Sequence, residues 1–219
     1  MTARKIALLG AESTGKTQLS QDLATALGAQ GLRVNVVAEV LREWCTREGR
    51  TPRPEEQLPI AREQERRVDT AAAGADLVIA DTTSLMVAIY SAMLFEDGTL
   101  YRFALERQRT YDLTLVMGLD LPWVPDGLQR DGPHVRDPVD ALVRAGLQRA
   151  GVPYQVVYGT GDARLAGALS AVHRAGLAAP TVPAVPAMDG GRSWAWVCDK
   201  CSDPECEHRL FGRLIARKN

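Results

Sequence analysis

GAESTGKT, residues 10–17, is the stretch that decides the fold, and it directly follows the apolar run IALL. Its spacing is Gly10, four residues, then Gly15, Lys16 and Thr17. The glycines let the backbone turn tightly, so that consecutive N–H groups point into one concavity. A lysine there reaches phosphate oxygens, and the hydroxyl of the last residue reaches a bound Mg²⁺. The stretch therefore predicts a loop that binds a nucleoside triphosphate.

The flanking sequence favours the same interpretation. A strand-like run precedes the loop, and a helical pattern of leucines at Leu19, Leu23 and Leu27 follows it. The positive dipole end of that helix would face the same anion. An ordinary glycine-rich turn is the alternative interpretation. The residues expected to bind ATP are Gly10, Glu12, Ser13, Thr14, Gly15, Lys16 and Thr17.

Short apolar runs alternate with helical patterns along residues 1–176. Runs rich in Val, Ile and Leu predict buried strands at 5–10, 33–39, 76–81, 112–119 and 154–159. Helical periodicity covers 16–28, roughly 55–74, 84–108 in one or two pieces, 138–150 and 161–175. This alternation predicts an α/β P-loop fold, a five-stranded parallel sheet with helices on both faces.

The composition limits the kinds of partner that are expected for the protein. The chain has 219 residues and a formal net charge of −1, so its bulk charge does not attract nucleic acid. No apolar run approaches the roughly 18 residues of a membrane span. Four cysteines without an apolar leader are typical of a reducing compartment. We expect a soluble, cytoplasmic protein without a membrane partner, and nucleic acid is a disfavoured partner.

Two carboxylates stand at the carboxyl ends of predicted strands, which is where this fold binds its ligands. Asp81 ends the third strand and is the expected Mg²⁺ partner together with Thr17. A helix cap and a catalytic base are the alternatives for Asp81. Glu39 follows the second strand and either acts as the general base for, or positions, the hydroxyl that accepts the phosphate, or it stabilises a helix start. Arg42, one turn on, either binds the acceptor or a phosphate, or is an exposed helix arginine.

The stretch LPWVPDGLQRDGPHVRD, residues 121–137, has the prolines and glycines of a loop. If this loop closes over the nucleotide, Arg130 and Arg136 would neutralise the transferring phosphoryl group and exclude water. Trp123 would stack on an aromatic ring of the substrate. An ordinary surface loop is the alternative interpretation.

Four segments resemble the ribosylnicotinamide kinase domain of the NadR-type bacterial NAD-regulator proteins. They are GAESTGKT (10–17), EVLREW (39–44), IAREQERRVDTAAAGADLVIADTT (60–83) and, most specifically, DLPWVPDGLQRDG (120–132). The similarity runs from about residue 4 to 175. It implies a kinase that uses ATP and Mg²⁺ to phosphorylate the 5′-hydroxyl of nicotinamide riboside. By the same resemblance, the residues around the riboside are Glu39, Asp81, Trp123 and Asp126.

The end of the chain has a different character. Residues 177–192 are rich in Pro, Ala and Gly without periodicity, which predicts a linker. In the tail, residues 193–219, a set of three thiolates and one imidazole predicts a structural, tetrahedral Zn²⁺ site. Its ligands would be Cys198, Cys201, Cys206 and His208. A redox dithiol at the first pair, or no special role, is the alternative, and the tail is also where a protein partner would bind.

The sequence thus predicts a P-loop small-molecule kinase with a cysteine-rich appendage. Lys16 and the arginines at 130 and 136 would stabilise the transferring phosphoryl group, and Glu39 or Asp81 would orient the acceptor. The rival prediction is an ATPase or nucleotide switch that acts on a macromolecular partner. The lid-like stretch 121–137 favours the kinase, because a kinase needs a closed pocket for a second small molecule.

Overall fold

The computed structural model describes residues 2–125 and 132–179, which form five strands and seven α-helices. The strands are β1 (Arg4–Leu9), β2 (Val34–Val37), β3 (Leu77–Asp81), β4 (Leu113–Met117) and β5 (Gln155–Val157). The helices are α1 (Lys16–Gly28), α2 (Val40–Glu48), α3 (Pro54–Ala71), α4 (Ser84–Phe95), α5 (Leu100–Gln108), α6 (Arg136–Ala150) and α7 (Gly161–Arg174). The predicted α/β fold with its five-stranded parallel sheet is confirmed.

The strands pair in the order β2-β3-β1-β4-β5, and every pair is parallel. The first strand therefore lies in the centre, with β3 on one side and β4 on the other. The strand order reverses at β1, and in open α/β sheets ligands bind at the carboxyl ends of the strands at such a switch point. The fold thus places residues 10–17, which follow β1, where a ligand is expected.

Helices cover both faces of the sheet because the central strands are apolar on both sides. On one face, Ile6 and Leu8 of β1 pack with leucines of α1 and with alanines of α7. On the other face, Leu9 packs with the apolar side chains of α3, α4, α5 and α6. All five residues of β3 and all five of β4 are buried, as expected for strands with a helix layer on each side.

Helix α2 is missing from the helical ranges predicted from the sequence, although the alternatives for Glu39 and Arg42 included a helix at this point. Its signals are present in the chain: apolar residues at Val40, Leu41 and Trp44, and Gly49 at its end. Gly49 has a φ of 66° and closes the helix in the left-handed conformation. The pattern is short, because the helix has only nine residues. The predicted helix at 84–108 forms two pieces, separated after Phe95.

The packed core continues slightly past the predicted boundary at residue 176. Leu177 and Ala178, at the start of the predicted linker, are 9% and 8% exposed and pack with α1 and α7. The predicted zinc ligands lie outside the described residues, so that site stays a prediction. In the described part of the chain, no helix is both long and apolar enough to cross a membrane.

Candidate active site

The loop between β1 and α1 has the backbone shape of an anion cradle. Gly10 and Gly15 have φ values of 147° and 75°, and Ser13 has a φ of 54°. A Cβ on Gly10 would lie 3.0 Å from Cβ of Met117 on β4, so only glycine fits there. Thr14 closes the turn, since its hydroxyl donates to the carbonyl of Ala11 at 2.7 Å. Both glycines of the motif are therefore needed for conformation.

Lys16 lies inside this loop and is only 9% exposed. Its Nζ donates to the carbonyl oxygens of Gly10 and Ala11, each at 2.9 Å. Burial lowers the pKa of the lysine below its usual 10.5, while the negative charges of Glu39 and Asp81 act in the opposite direction. The two strand-end carboxylates are thus close enough to act on the lysine electrostatically.

Asp81 is held beside the loop by the parallel pairing of the sheet, which sets it opposite Leu8 of β1. It is 3% exposed, and the hydroxyl of Thr17 donates to its Oδ2 at 2.5 Å. Its Oδ1 is buried and has no hydrogen-bond partner within the described residues. A buried carboxylate oxygen without a partner, next to a hydroxyl, suits a hard cation such as Mg²⁺. Thr17 and Asp81 therefore fit the predicted metal.

The sequence left open whether Asp81 caps a helix. In the structure another residue caps the helix that follows. Thr83 is the N-cap of α4, and its side chain accepts from the amide of Leu85 at 3.2 Å. The same hydroxyl donates to Gln108, which in turn donates to Thr114 of β4. This chain fixes the turn after β3 and leaves the Asp81 carboxylate available to the site.

Glu39 reaches the site because another side chain caps α2. Glu39 stands at the N-cap position but makes no side-chain cap bond. Instead, Gln64 of α3 accepts from the amide of Val40 at 2.9 Å and donates to the carbonyl of Ala38 at 3.3 Å. The Glu39 side chain is 13% exposed and lies 3.5 Å from the guanidinium of Arg42. Arg42 therefore lies beside the Glu39 carboxylate.

The segment after β4 packs on the phosphate loop. The Ser13 hydroxyl donates to the carbonyl of Val124 at 2.9 Å and accepts from its amide at 3.1 Å. The neighbouring Trp123 is half-buried, and its indole Nε1 has no hydrogen-bond partner in the described ranges. Arg136 is the first residue of α6 rather than a loop residue; it is buried and donates to the carbonyl of Leu119 at 3.3 Å. Asp126 and Arg130 lie outside the described residues.

Two residues that sequence reasoning missed connect the same loops. Arg164, at the start of α7, donates to the carbonyl of Thr14 at 3.1 Å and forms an ion pair with Asp120 at 3.2 Å. Asp120 also accepts from the amide of Gly159 at 2.6 Å. The two charged residues are 44 positions apart, so no local pattern in the sequence points to their pairing.

The site therefore combines a tightly turned glycine loop, a buried ammonium and two carboxylates at one edge of the sheet. Within the described ranges, no group of three or more His, Cys, Asp or Glu residues could hold a metal ion. A site with one carboxylate and one hydroxyl suits Mg²⁺, because this ion keeps several waters and binds through phosphate oxygens as well. The arrangement suits chemistry on a nucleotide phosphate.

A family model described as an AAA domain matches residues 5–164. No curated protein matches the chain significantly. Among solved structures, a NadR protein in complex with NR has a TM-score of 0.65 and 19% identity, over 79% of this chain and 51% of that one. A NadR protein with NAD and AMP-PNP has a TM-score of 0.62 and 19% identity, over 79% and 49%. This chain thus spans about half the length of those NadR chains.

A third solved structure is similar over nearly its whole length. It is a deoxyadenosine kinase from M. mycoides with the products dCMP and dCDP, at a TM-score of 0.54 and 14% identity. The similarity covers 78% of this chain and 99% of that chain. At these identities the three structures establish a shared fold, which agrees with the resemblance seen in the sequence.

Proposed function

This chain belongs to the AAA domain family, and from that premise we propose that it is an ATP- and Mg²⁺-dependent small-molecule kinase. The proposed reaction transfers the γ-phosphate of ATP to the 5′-hydroxyl of a nucleoside, with nicotinamide riboside as the preferred acceptor. One observation carries the proposal: the Asp81 carboxylate accepts a hydrogen bond from Thr17 of the phosphate loop at 2.5 Å, and Glu39 stands just past the end of the neighbouring strand β2. A second carboxylate beyond the metal position is what an acceptor hydroxyl requires.

Asp81 and Glu39 have different roles in the proposed reaction. Asp81 is bonded to the Thr17 hydroxyl, so it serves the metal side of the site. Bound Mg²⁺ would neutralise charge on the β- and γ-phosphates. Glu39 lies on the neighbouring strand end and accepts the proton of the 5′-hydroxyl as that oxygen attacks the γ-phosphorus. The bond between phosphorus and the β,γ-bridging oxygen breaks, and ADP leaves with the electron pair.

Lys16 stabilises the charge that develops in this step. In the structure its ammonium is held by two loop carbonyls, which hold the charge inside the cradle. A buried cation interacts strongly with phosphate oxygens because little water screens it. Arg130 would add positive charge from the 121–137 loop, and Arg136 would add it from the start of α6.

The choice of acceptor rests on resemblance. The P-W-V stretch at 122–124 lies on the phosphate loop through Ser13 and Val124, and it is the most specific part of the resemblance to NadR-type kinases. Two proteins of this fold carry related ligands in their structures, NR in one and the nucleotide product dCMP in the other. Both facts support a nucleoside acceptor.

The experiment is ATP consumption with Mg²⁺, measured with nicotinamide riboside and with a panel of common nucleosides. We expect strong stimulation by nicotinamide riboside. Lys16→Ala should lower turnover by at least about 10²-fold. Lys5→Ala is the matched control, because Lys5 pairs with Asp69 away from the loop. Equal turnover in the two variants would contradict the assignment, and hydrolysis indifferent to every acceptor would favour the ATPase.

A further inference from the structure

Arg164 joins three loops with one side chain. It is 4% exposed, and each part of its guanidinium is used. Nη1 donates to the carbonyl of Thr14, Nε to the carbonyl of Gly159 at 3.2 Å, and Nη2 to the carboxylate of Asp120. A buried guanidinium keeps its charge, so it must be held by such partners. The contacts connect the phosphate loop to the loops after β4 and β5.

The bond to Thr14 also fixes the orientation of the phosphate loop. The carbonyl of Thr14 and the amide of Gly15 belong to one planar trans peptide unit, so they point in opposite directions. Because Arg164 binds the carbonyl, the Gly15 N–H points away from Arg164. Rotation of this peptide unit when phosphate binds would therefore be felt directly by Arg164.

The same arginine holds the segment of residues 118–125, which we name the β4-end segment. Asp120 is fixed from two sides, by Arg164 and by the amide of Gly159. A Cβ on Gly118 would lie 2.3 Å from the Tyr158 ring, so the two loops are in close contact at this point. These contacts therefore join the segment to the loop after β5.

The β4-end segment meets the phosphate loop at two further points. The Ser13 hydroxyl bonds both backbone groups of Val124. A Cβ on Gly15 would lie 3.0 Å from Cδ1 of Leu121, which shows that the Leu121 side chain lies close to the Gly15 backbone. Trp123 lies between Leu121 and Val124, so its position depends on these contacts.

We propose that Arg164 is a positioning residue that transmits nucleotide binding at the phosphate loop to the β4-end segment and so places Trp123 for the acceptor. The inference rests on the proposed function of the same loop. Arg164 itself acts through Thr14 and Asp120, and it is not a catalytic residue.

The test is amide hydrogen exchange of the full chain with and without AMP-PNP and Mg²⁺. In the wild type, nucleotide should slow exchange at residues 10–17 and also at residues 118–125. In Arg164→Lys, an ammonium replaces the planar fork and cannot bind three acceptors at once. We expect slowing at 10–17 to persist, whereas slowing at 118–125 falls by about tenfold. Asp120→Asn, which breaks the same ion pair from the other side, should give the same result.

The matched control is Arg174→Lys, on the same helix. Arg174 is exposed and bonds to Gln155, so its replacement should leave both regions as in the wild type. Unchanged slowing at 118–125 in both Arg164→Lys and Asp120→Asn would overturn the inference alone, as would a wild type that responds only at 10–17. Exchange that responds at neither region in the wild type would overturn the proposed function, and the inference with it.

Discussion

Glu39 and Asp81 are both acidic and both stand at the carboxyl end of a strand, but their surroundings suit them to different roles. Asp81 accepts from the Thr17 hydroxyl and retains one buried oxygen without a partner in the described residues. Glu39 lies against Arg42 at the start of α2. Substitution with the matching amide preserves the size of each side chain while removing its charge, so the two roles are separable by kinetics.

Asp81→Asn should raise the Mg²⁺ concentration needed for half-maximal activity. Glu39→Gln should lower kcat by on the order of 10²–10⁴-fold and leave the KM for ATP unchanged. Steady-state kinetics at several Mg²⁺ concentrations measure both effects. Asp112→Asn, at the opposite edge of the sheet, is the control and should change neither parameter. If Glu39→Gln altered the Mg²⁺ requirement while Asp81→Asn did not, the assignment would be reversed.

The buried Lys16 also makes a prediction about stability. Burial lowers the pKa of this lysine in the folded protein below its usual 10.5, so the unfolded chain binds more protons between these two values. The cost of burying the charge of Lys16 in the wild type therefore falls as pH rises through that window. The free energy of unfolding, measured relative to Lys16→Met, should shift in favour of the wild type as pH approaches 10.5. A difference independent of pH would show that burial of the charge costs nothing.

At the scale of elements, α2 depends on α3 for its start. The Gln64 side chain is fully buried and satisfies both Val40 and Ala38. Gln64→Met keeps the length of the side chain but leaves a buried amide and a buried carbonyl without partners. We expect a loss of about 1–3 kcal/mol in the free energy of unfolding, together with a lower kcat because Glu39 begins α2.

Denaturant unfolding and kinetics of Gln64→Met provide the measurement. Gln18→Met on α1 is the matched control, because Gln18 is exposed and bonds only to Asp22 among the described residues. A Gln64→Met protein as stable as this control would show that α2 does not need the cap.

The elements themselves were largely predictable, and the connections between them were not. Central strands such as β3 are continuous apolar runs, which period and composition identify. The helix α1 follows from its leucine spacing and its position after the loop. In contrast, α2 is short, and its start is capped by Gln64, 24 residues further along. A contact between distant positions leaves no local signal in a single sequence.

The same distinction applies to the candidate site. Lys16, Thr17 and the strand-end acids could be named from sequence because each stands next to a recognisable element. Arg164 could not, because its partners lie on loops that only the folded sheet brings together. The roles that sequence assigned to Glu39, Asp81 and Trp123 remain predictions until the variants are measured.

At the scale of the whole molecule, the cysteine-rich tail is a separate prediction. The purified chain should contain about one Zn²⁺ per molecule, as a closed four-ligand site implies. Cys201→Ser should lose this metal, whereas Cys45→Ser, which changes the half-buried cysteine of α2, should keep it. Mass spectrometry measures the zinc content of the wild type and of both variants. A metal-free wild type, prepared without chelators, would leave the redox dithiol or no special role as the explanation of the tail.

The central claim is that the γ-phosphate of ATP ends on a nucleoside. The most direct measurement follows the label from [γ-³²P]ATP in the presence of Mg²⁺ and nicotinamide riboside. Our account predicts label in nicotinamide mononucleotide, in amounts equal to the ADP formed, and none of this transfer in Lys16→Ala. Label found only in inorganic phosphate, with every nucleoside of the panel left unmodified, would contradict it.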